Sequence, residues 1–136
     1  MADDALHVLV YSDDRNTREQ VRMALGRRPA ADLPPVEFVE AATDWAVHDL
    51  LRSADLALVI LDGEATPAGG LGVCRTIKEE VFHAPPILVV IGRAQDEWLA
   101  SWSRADGVVQ HPIDPITLAA AAAELLRGRT AGGVAS

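Results

Sequence analysis

The segment LALVILDGE, residues 56–64, decides the fold, because an unbroken apolar run stops abruptly at an acid. Its Val, Ile and Leu residues follow one another without polar alternation, which is typical of a strand buried on both faces. Similar runs extend from Leu6 to Tyr11 and from Ile87 to Ile91. Two weaker candidates, Val36 to Glu40 and Gly107 to Gln110, are charged or very short. We expect these two to form the edges of the sheet.

Helical segments separate the strands. Asn16 and Glu19 fit a capping box that opens the first helix, and Gly26 ends it. The other four helices are expected from about Thr43, from about Gly70, from Asp96 to Arg104, and from the cap Asp114 to Arg127. Strands that alternate with helices in this way predict an α/β fold, a doubly wound (βα)5 unit around a five-stranded parallel sheet. Residues 6–127 would form this domain, between an N-terminal extension (1–5) and a flexible tail (128–136).

Length, charge and cysteine content exclude several classes of protein. The chain has 136 residues, which suits one domain, and its 12 basic and 20 acidic residues give a formal net charge of -8. Such a surface repels phosphate backbones, so we expect no nucleic-acid partner. Cys74 is the single cysteine, which excludes an internal disulfide and favours the cytoplasm. No apolar run approaches the ~18–20 residues of a membrane span.

Acidic clusters follow two of the buried strands. The first strand leads into Ser12-Asp13-Asp14, and the third leads into Asp62-Gly63-Glu64. Open parallel sheets bind ligands at the carboxyl ends of their strands. Carboxylates there can hold Mg²⁺, and a carboxylate beside the cation can attack phosphorus. The alternative is that these acids only cap a helix or face solvent, and the strand ends alone do not decide between the two.

Taken together, these segments resemble the receiver domain of bacterial response regulators, of the chemotaxis-regulator type, over residues 6–126. LVILD (58–62) looks like the phosphoacceptor strand, and GLGVCRTIK (70–78) looks like the helix that follows it. His111-Pro112 stands where receivers carry lysine and proline. The resemblance implies a flavodoxin-like fold with strand order 2-1-3-4-5.

The resemblance also assigns roles to the acids. Asp62 matches the phosphoacceptor, Asp13 matches an acid that contacts the metal, and Glu64 would contribute its backbone carbonyl. The first acid of the family's pair falls on Ser12, and Asp14 replaces it only if the alignment shifts by one residue. The implied cofactor is therefore weakly bound Mg²⁺, held by Asp13, Asp62 and Glu64, with Asp14 as an alternative ligand.

Three departures from the family pattern concern how a phosphoryl group is held and sensed. His111 replaces the lysine, and imidazole is shorter than lysine and charged only below about pH 6.5. The switch hydroxyl falls on Ile91 and the switch aromatic on Val108, so both halves of the usual switch are missing. The resemblance thus implies an atypical receiver, or pseudo-receiver, in which phosphorylation at Asp62 is impaired.

Trp98 and Trp102 lie four residues apart, on one face of the fourth helix. They either pack on the sheet or form part of a partner-binding surface, where aromatic residues are enriched. The leading hypothesis is a stand-alone receiver without enzymatic activity, monomeric or weakly dimeric, that binds a regulatory protein or a sensor kinase. The alternatives are a phosphorylation-competent relay intermediate and a flavodoxin-like enzyme acting on a small ligand.

Overall fold

The computed structural model describes residues 5–66 and 68–135, and for residues 129–135 it describes the backbone alone. Strands and helices alternate along the chain. The strands are β1 (Leu6–Tyr11), β2 (Val36–Ala41), β3 (Leu58–Asp62), β4 (Ile87–Ile91) and β5 (Gly107–Gln110). The helices are α1 (Arg15–Leu25), α2 (Asp44–Ser53), α3 (Gly70–Glu80), α4 (Glu97–Ser103) and α5 (Pro115–Ala135), and a 3₁₀ turn, Ala94–Asp96, precedes α4.

The five strands form one parallel sheet in the order β2-β1-β3-β4-β5. Both the fold class and this strand order confirm the prediction, and β2 and β5 lie at the edges as expected. Parallel pairing sets Tyr11 beside Leu61, so β1 and β3 end side by side. The order reverses at β1, and a sheet of this kind binds ligands beside that point.

Helices cover both faces of the sheet. Val8 and Val10 belong to the core beneath α1 and α5, whereas Leu9 and Tyr11 belong to the core beneath α2, α3 and α4. Successive side chains of a strand point to opposite faces, so a strand covered on both sides is apolar along nearly all of its length. All five residues of β3 and all five of β4 are buried accordingly.

The ends of several elements differ from the prediction. Asp14, not Asn16, caps α1, because Asp14 is extended (φ -94, ψ 112) and its Oδ1 accepts the Asn16 N–H at 2.8 Å. The third strand begins at Leu58 rather than at Leu56. Helix α5 continues beyond Arg127 to Ala135.

Two of the predicted regions are not tested by these bounds. Most of the N-terminal extension, residues 1–4, lies outside the described residues, and the flexibility of residues 128–136 stays a prediction. Within the described chain, no helix combines the length and the apolar character needed to cross a bilayer.

Candidate functional site

Polar side chains converge where β1, β3 and β5 end. Asp62, the last residue of β3, is only 5% exposed, and it lies at the floor of a cleft of about 400 Å³. The cleft is lined by Asp13, Asp14, Thr17, Asp62, Glu64, Gly92 and His111. The structure thus brings together the acids and the histidine that the sequence singled out.

Three protein donors approach the carboxylate of Asp62. The Ser12 hydroxyl donates to Oδ2 at 2.8 Å, and the Glu64 backbone N–H donates to Oδ1 at 2.9 Å. His111 Nε2 lies 3.1 Å from the same Oδ1. Ser12 is itself completely buried, and its hydroxyl oxygen accepts the Asp14 N–H at 3.0 Å. Each oxygen of the buried carboxylate therefore has a partner, as a buried charge requires.

His111 reaches Asp62 from the end of β5. Its backbone N–H donates to the carbonyl of Ile91 at 2.8 Å, which continues the pairing of β5 with β4, and its peptide bond to Pro112 is cis. The half-buried ring places one nitrogen against Asp62, and its role as a substitute for the family's lysine stays a prediction. It supplies a hydrogen-bonding group there without lysine's permanent charge.

Asp13 faces a different partner. Its carboxylate accepts the Thr66 backbone N–H at 3.1 Å and the Thr66 hydroxyl at 3.0 Å. These bonds, together with the nearby Arg18 guanidinium, lower the pKa of Asp13 below its ordinary value. Arg18 Nη1 also donates to the Ser12 carbonyl at 2.6 Å, and Arg18 Nε donates to Glu40 at 2.9 Å.

Tyr11 adds a third link from β1 to the loop between β3 and α3. Its hydroxyl donates to the backbone carbonyl of Ala68. Burial, and then the charges of Asp44, Asp13 and Asp62, raise the pKa of Tyr11 above its ordinary value. We call Tyr11, Ser12 and Asp13 the β1 clamp, because all three side chains bond to residues between Asp62 and Ala68.

The sequence analysis gave neither Tyr11 nor Ser12 a role in the site. Tyr11 was only the end of a strand, and Ser12 stood at the first acid position of the family's pair. One signal could have found them. In a parallel pair, consecutive residues at the end of one strand lie beside consecutive residues at the end of its neighbour. Knowing the register of β1 and β3 would have placed Ser12 beside Asp62.

The Mg²⁺ site implied by the family resemblance falls at this edge of the sheet. Two carboxylates and a backbone carbonyl are ligands of the kind Mg²⁺ prefers. However, the oxygens of Asp13 and Asp62 already accept hydrogen bonds from protein donors. Among residues 5–66 and 68–128, no three His, Cys, Asp or Glu side chains are grouped to hold a metal. The oxygen ligands are of the right kind, but the donors already on Asp13 and Asp62 would compete with a cation, and weak Mg²⁺ binding stays a prediction.

Ile91 and Val108, the residues predicted to stand at the switch positions, lie in different surroundings. Ile91 is 3% exposed and packs in the core beneath α2, α3 and α4. Val108 is 38% exposed on β5. Neither side chain can hydrogen-bond to a group on Asp62, and neither is aromatic.

Trp98 and Trp102 do not pack on the sheet, so the core alternative for this pair is wrong. Trp98 is 68% exposed, and with Val108 it lines a groove of about 470 Å³ beside α4. Trp102 is 46% exposed, and its ring stacks with the Arg75 guanidinium at 5.0 Å. Arg75 also donates to the Trp102 carbonyl at 2.6 Å, which ties α3 to α4.

Comparison with known proteins assigns a family to this fold and site. No family model matches the chain. Two curated relatives, both named as uncharacterized response regulatory proteins, come from Mycobacterium tuberculosis strains CDC 1551 / Oshkosh and ATCC 25618 / H37Rv. Each is 51% identical over 123 residues, which cover 90% of this chain and 92% of the relative.

Solved structures agree with the fold. A response regulator signal receiver domain from Bermanella marisrubri has a TM-score of 0.75 at 22% identity, over 90% of this chain and 98% of that one. A two-component response regulator of the LuxR family from Aurantimonas sp. SI85-9A1 has a TM-score of 0.77 at 26% identity, over 92% of this chain and 87% of that one. The chain therefore belongs to the response regulators of two-component signal transduction, as a receiver domain.

Proposed function

We propose that this receiver is atypical and acts through contacts with another protein, and that phosphorylation at Asp62 is impaired rather than lost. One observation carries the proposal. The carboxylate of Asp62 is engaged by Ser12, Glu64 and His111, two of which stand where the family carries an acid and a lysine. The phosphoacceptor is kept, but its surroundings differ.

Phosphorylation would require an oxygen of Asp62 to attack the phosphorus of a donor while the donor's leaving group departs with its electron pair. Such transfers depend mainly on positioning and on stabilising charge. Ser12 engages Oδ2, and His111 and the Glu64 N–H engage Oδ1, so each oxygen that could attack is made less nucleophilic by a hydrogen bond. His111 also stabilises the negative phosphoryl oxygens less than lysine would, because its charge is not permanent.

The surface around α4 is the proposed contact for a partner. Trp98 and Val108 expose apolar area at one groove, and Trp102 lies on the same helix. Aromatic residues of this kind commonly dominate protein interfaces. We expect a regulatory protein or a sensor kinase as partner, the cytoplasm as compartment, no enzymatic activity, and a monomer or weak dimer. That the match spans 92% of each M. tuberculosis relative supports a single-domain regulator.

Intact-mass spectrometry after incubation with acetyl phosphate and Mg²⁺ tests the phosphorylation half. A small fraction of the wild type should gain one phosphoryl group, and Asp62→Asn should gain none. His111→Lys should raise that fraction, because lysine restores a permanent charge beside the carboxylate. Asp49→Asn, an exposed acid on α2, is the matched control and should behave as wild type. Complete phosphorylation of the wild type at the rate of His111→Lys would contradict the impairment.

The partner half is tested with two exposed tryptophans. Trp98 is 68% exposed on α4, and Trp45 is 71% exposed on α2, on another part of the surface. Crosslinking in the source cells should yield a defined complex that Trp98→Ala loses and Trp45→Ala keeps. Loss of the complex in both variants, or in neither, would argue against the α4 surface.

A relay intermediate is the second candidate, because Asp62 and Asp13 are both kept and line one cleft. A relay must carry the phosphoryl group on Asp62 and pass it on. Signalling in cells that carry Asp62→Asn decides between the two: a relay stops, whereas a receiver that acts by contact alone continues.

A further inference from the structure

The β1 clamp contains one contact that bears on how the site is organised. Because Tyr11 pairs with Leu61, the next residues of the two strands, Ser12 and Asp62, lie beside each other. Ser12 is completely buried there, and its hydroxyl donates to Asp62 at 2.8 Å. A short side chain is sufficient for this bond, since the strand register supplies the proximity.

Residue 12 also sets the charge balance of the cleft. A carboxylate at this position would lie at about hydrogen-bond distance from Asp62, and two like charges that close repel each other unless a cation intervenes. The Ser12 hydroxyl replaces that repulsion with a hydrogen bond and removes one negative charge. Arg18, which donates to the Ser12 carbonyl at 2.6 Å, places a fixed positive charge beside the same turn.

The second acid of the predicted cation site is held as well. Both carboxylate oxygens of Asp13 accept hydrogen bonds from Thr66, one from its backbone and one from its hydroxyl. A cation that entered the cleft would compete with the Ser12 hydroxyl for Asp62 and with the Thr66 donors for Asp13. Each exchange costs the protein a bond that is already made.

We propose that Ser12 is a positioning residue that holds the carboxylate of Asp62 in place of a bound cation. The proposal rests on the same site as the proposed function, but it concerns how the acid is held, not whether it is phosphorylated. It follows that Mg²⁺ affinity is limited by competition from the Ser12 hydroxyl. Removing the hydroxyl should strengthen Mg²⁺ binding, and adding a carboxylate should strengthen it further.

A titration with MgCl₂ alone, monitored by NMR chemical shifts and without any phosphodonor, tests this order of Mg²⁺ affinities. Ser12→Asp should bind Mg²⁺ about tenfold or more tightly than the wild type, because an added charged ligand raises affinity. The Mg²⁺ affinity of Ser12→Ala should lie between those of the wild type and Ser12→Asp. The affinity of Ser12→Thr, which keeps the hydroxyl, should match that of the wild type. If Ser12→Ala does not fold, Ser12→Cys takes its place, because a thiol is a weak donor.

Equal Mg²⁺ affinity in the wild type and in the variant without the hydroxyl would overturn the proposal, since a merely structural serine does not compete with a cation. Wild-type affinity equal to that of Ser12→Asp would overturn it too. Neither result depends on phosphorylation. If the phosphodonor experiment fails, the predicted order of Mg²⁺ affinities is unaffected. If the MgCl₂ titration fails, the result of the phosphodonor experiment is unaffected.

Discussion

Ser12→Ala should destabilise the protein by about 2 kcal/mol, although it removes a single oxygen atom. The Ser12 hydroxyl is fully buried, and its acceptor, Asp62, is 5% exposed. A hydrogen bond to a charged group contributes roughly 1.5–3 kcal/mol, and a carboxylate as little exposed as that of Asp62 regains only part of this from water when it loses a donor. The second bond of the hydroxyl, from the Asp14 N–H, adds little because Asp14 is exposed and water can take over.

Thermal unfolding followed by circular dichroism measures this cost. With an unfolding entropy of about 2.1 cal/mol/K per residue, a loss of ~2 kcal/mol lowers Tm by about 7 °C in a chain of this length. Ser103→Ala is the matched control. Ser103 is also completely buried, but its hydroxyl donates to a neutral acceptor, the Ala100 carbonyl, at 2.6 Å. Its loss should cost about 1 kcal/mol, or half as much.

A double-mutant cycle assigns the cost to the contact itself. In an Asp62→Ala background, Ser12→Ala should lose most of its effect, which gives a coupling energy of about 1–3 kcal/mol. Two results would refute the reasoning: Ser12→Ala no more costly than Ser103→Ala, or the same cost with and without Asp62. Either would mean that the hydroxyl does not stabilise the carboxylate.

Three further outcomes follow from the same edge of the sheet. Gly70→Ala should lower stability by roughly 1–3 kcal/mol in urea denaturation, because its new Cβ would lie 2.6 Å from the rigid carbonyl that ends β3. Gly92→Ala should cost clearly less, since the atoms nearest its Cβ belong to the end of the Glu64 side chain, at 2.5 Å, which can move aside. A loss of stability in Gly92→Ala as large as that in Gly70→Ala would show that the Glu64 side chain is fixed in place. NMR titration should find the pKa of Asp13 lowered by Thr66, so its stabilisation is present above about pH 3.8 and lost as pH falls through the lowered pKa. Thr66→Val should raise this pKa only partway, because the backbone donor remains.

The fold could be predicted because its signals are local and redundant. The predicted first and last residues of β1, β4 and β5 match the structure. An unbroken apolar run is the pattern expected of a strand covered on both faces. The predicted cap of the first helix was wrong because Asp14 and Asn16 are both good cap residues and lie only two positions apart. The choice depended on Asp14 being extended after Ser12, which tertiary contacts decide.

The site could be predicted only in part. Strand ends and the family resemblance selected Asp62, Asp13 and His111, and these residues line one cleft. The hydrogen bond from Tyr11 to Ala68 could not be predicted, because its acceptor is a backbone carbonyl in a loop and carries no sequence signature. Trp98 and Trp102 were ambiguous because a spacing of four places both residues on one face without saying which way that face points.

Whether Asp62 is phosphorylated and whether the protein can respond are separate questions, and Ile91 and Val108, the predicted switch residues, bear on the second. A chemical change alters a conformational equilibrium only if it contacts the two states differently. Ile91 is buried among apolar side chains and has no hydroxyl to follow a group on Asp62. Val108 is already at the surface, where it lines the groove with Trp98. Since no side chain at these positions links the acid to the groove, the α4 surface should have the same shape with Asp62 free, phosphorylated or replaced by Asn.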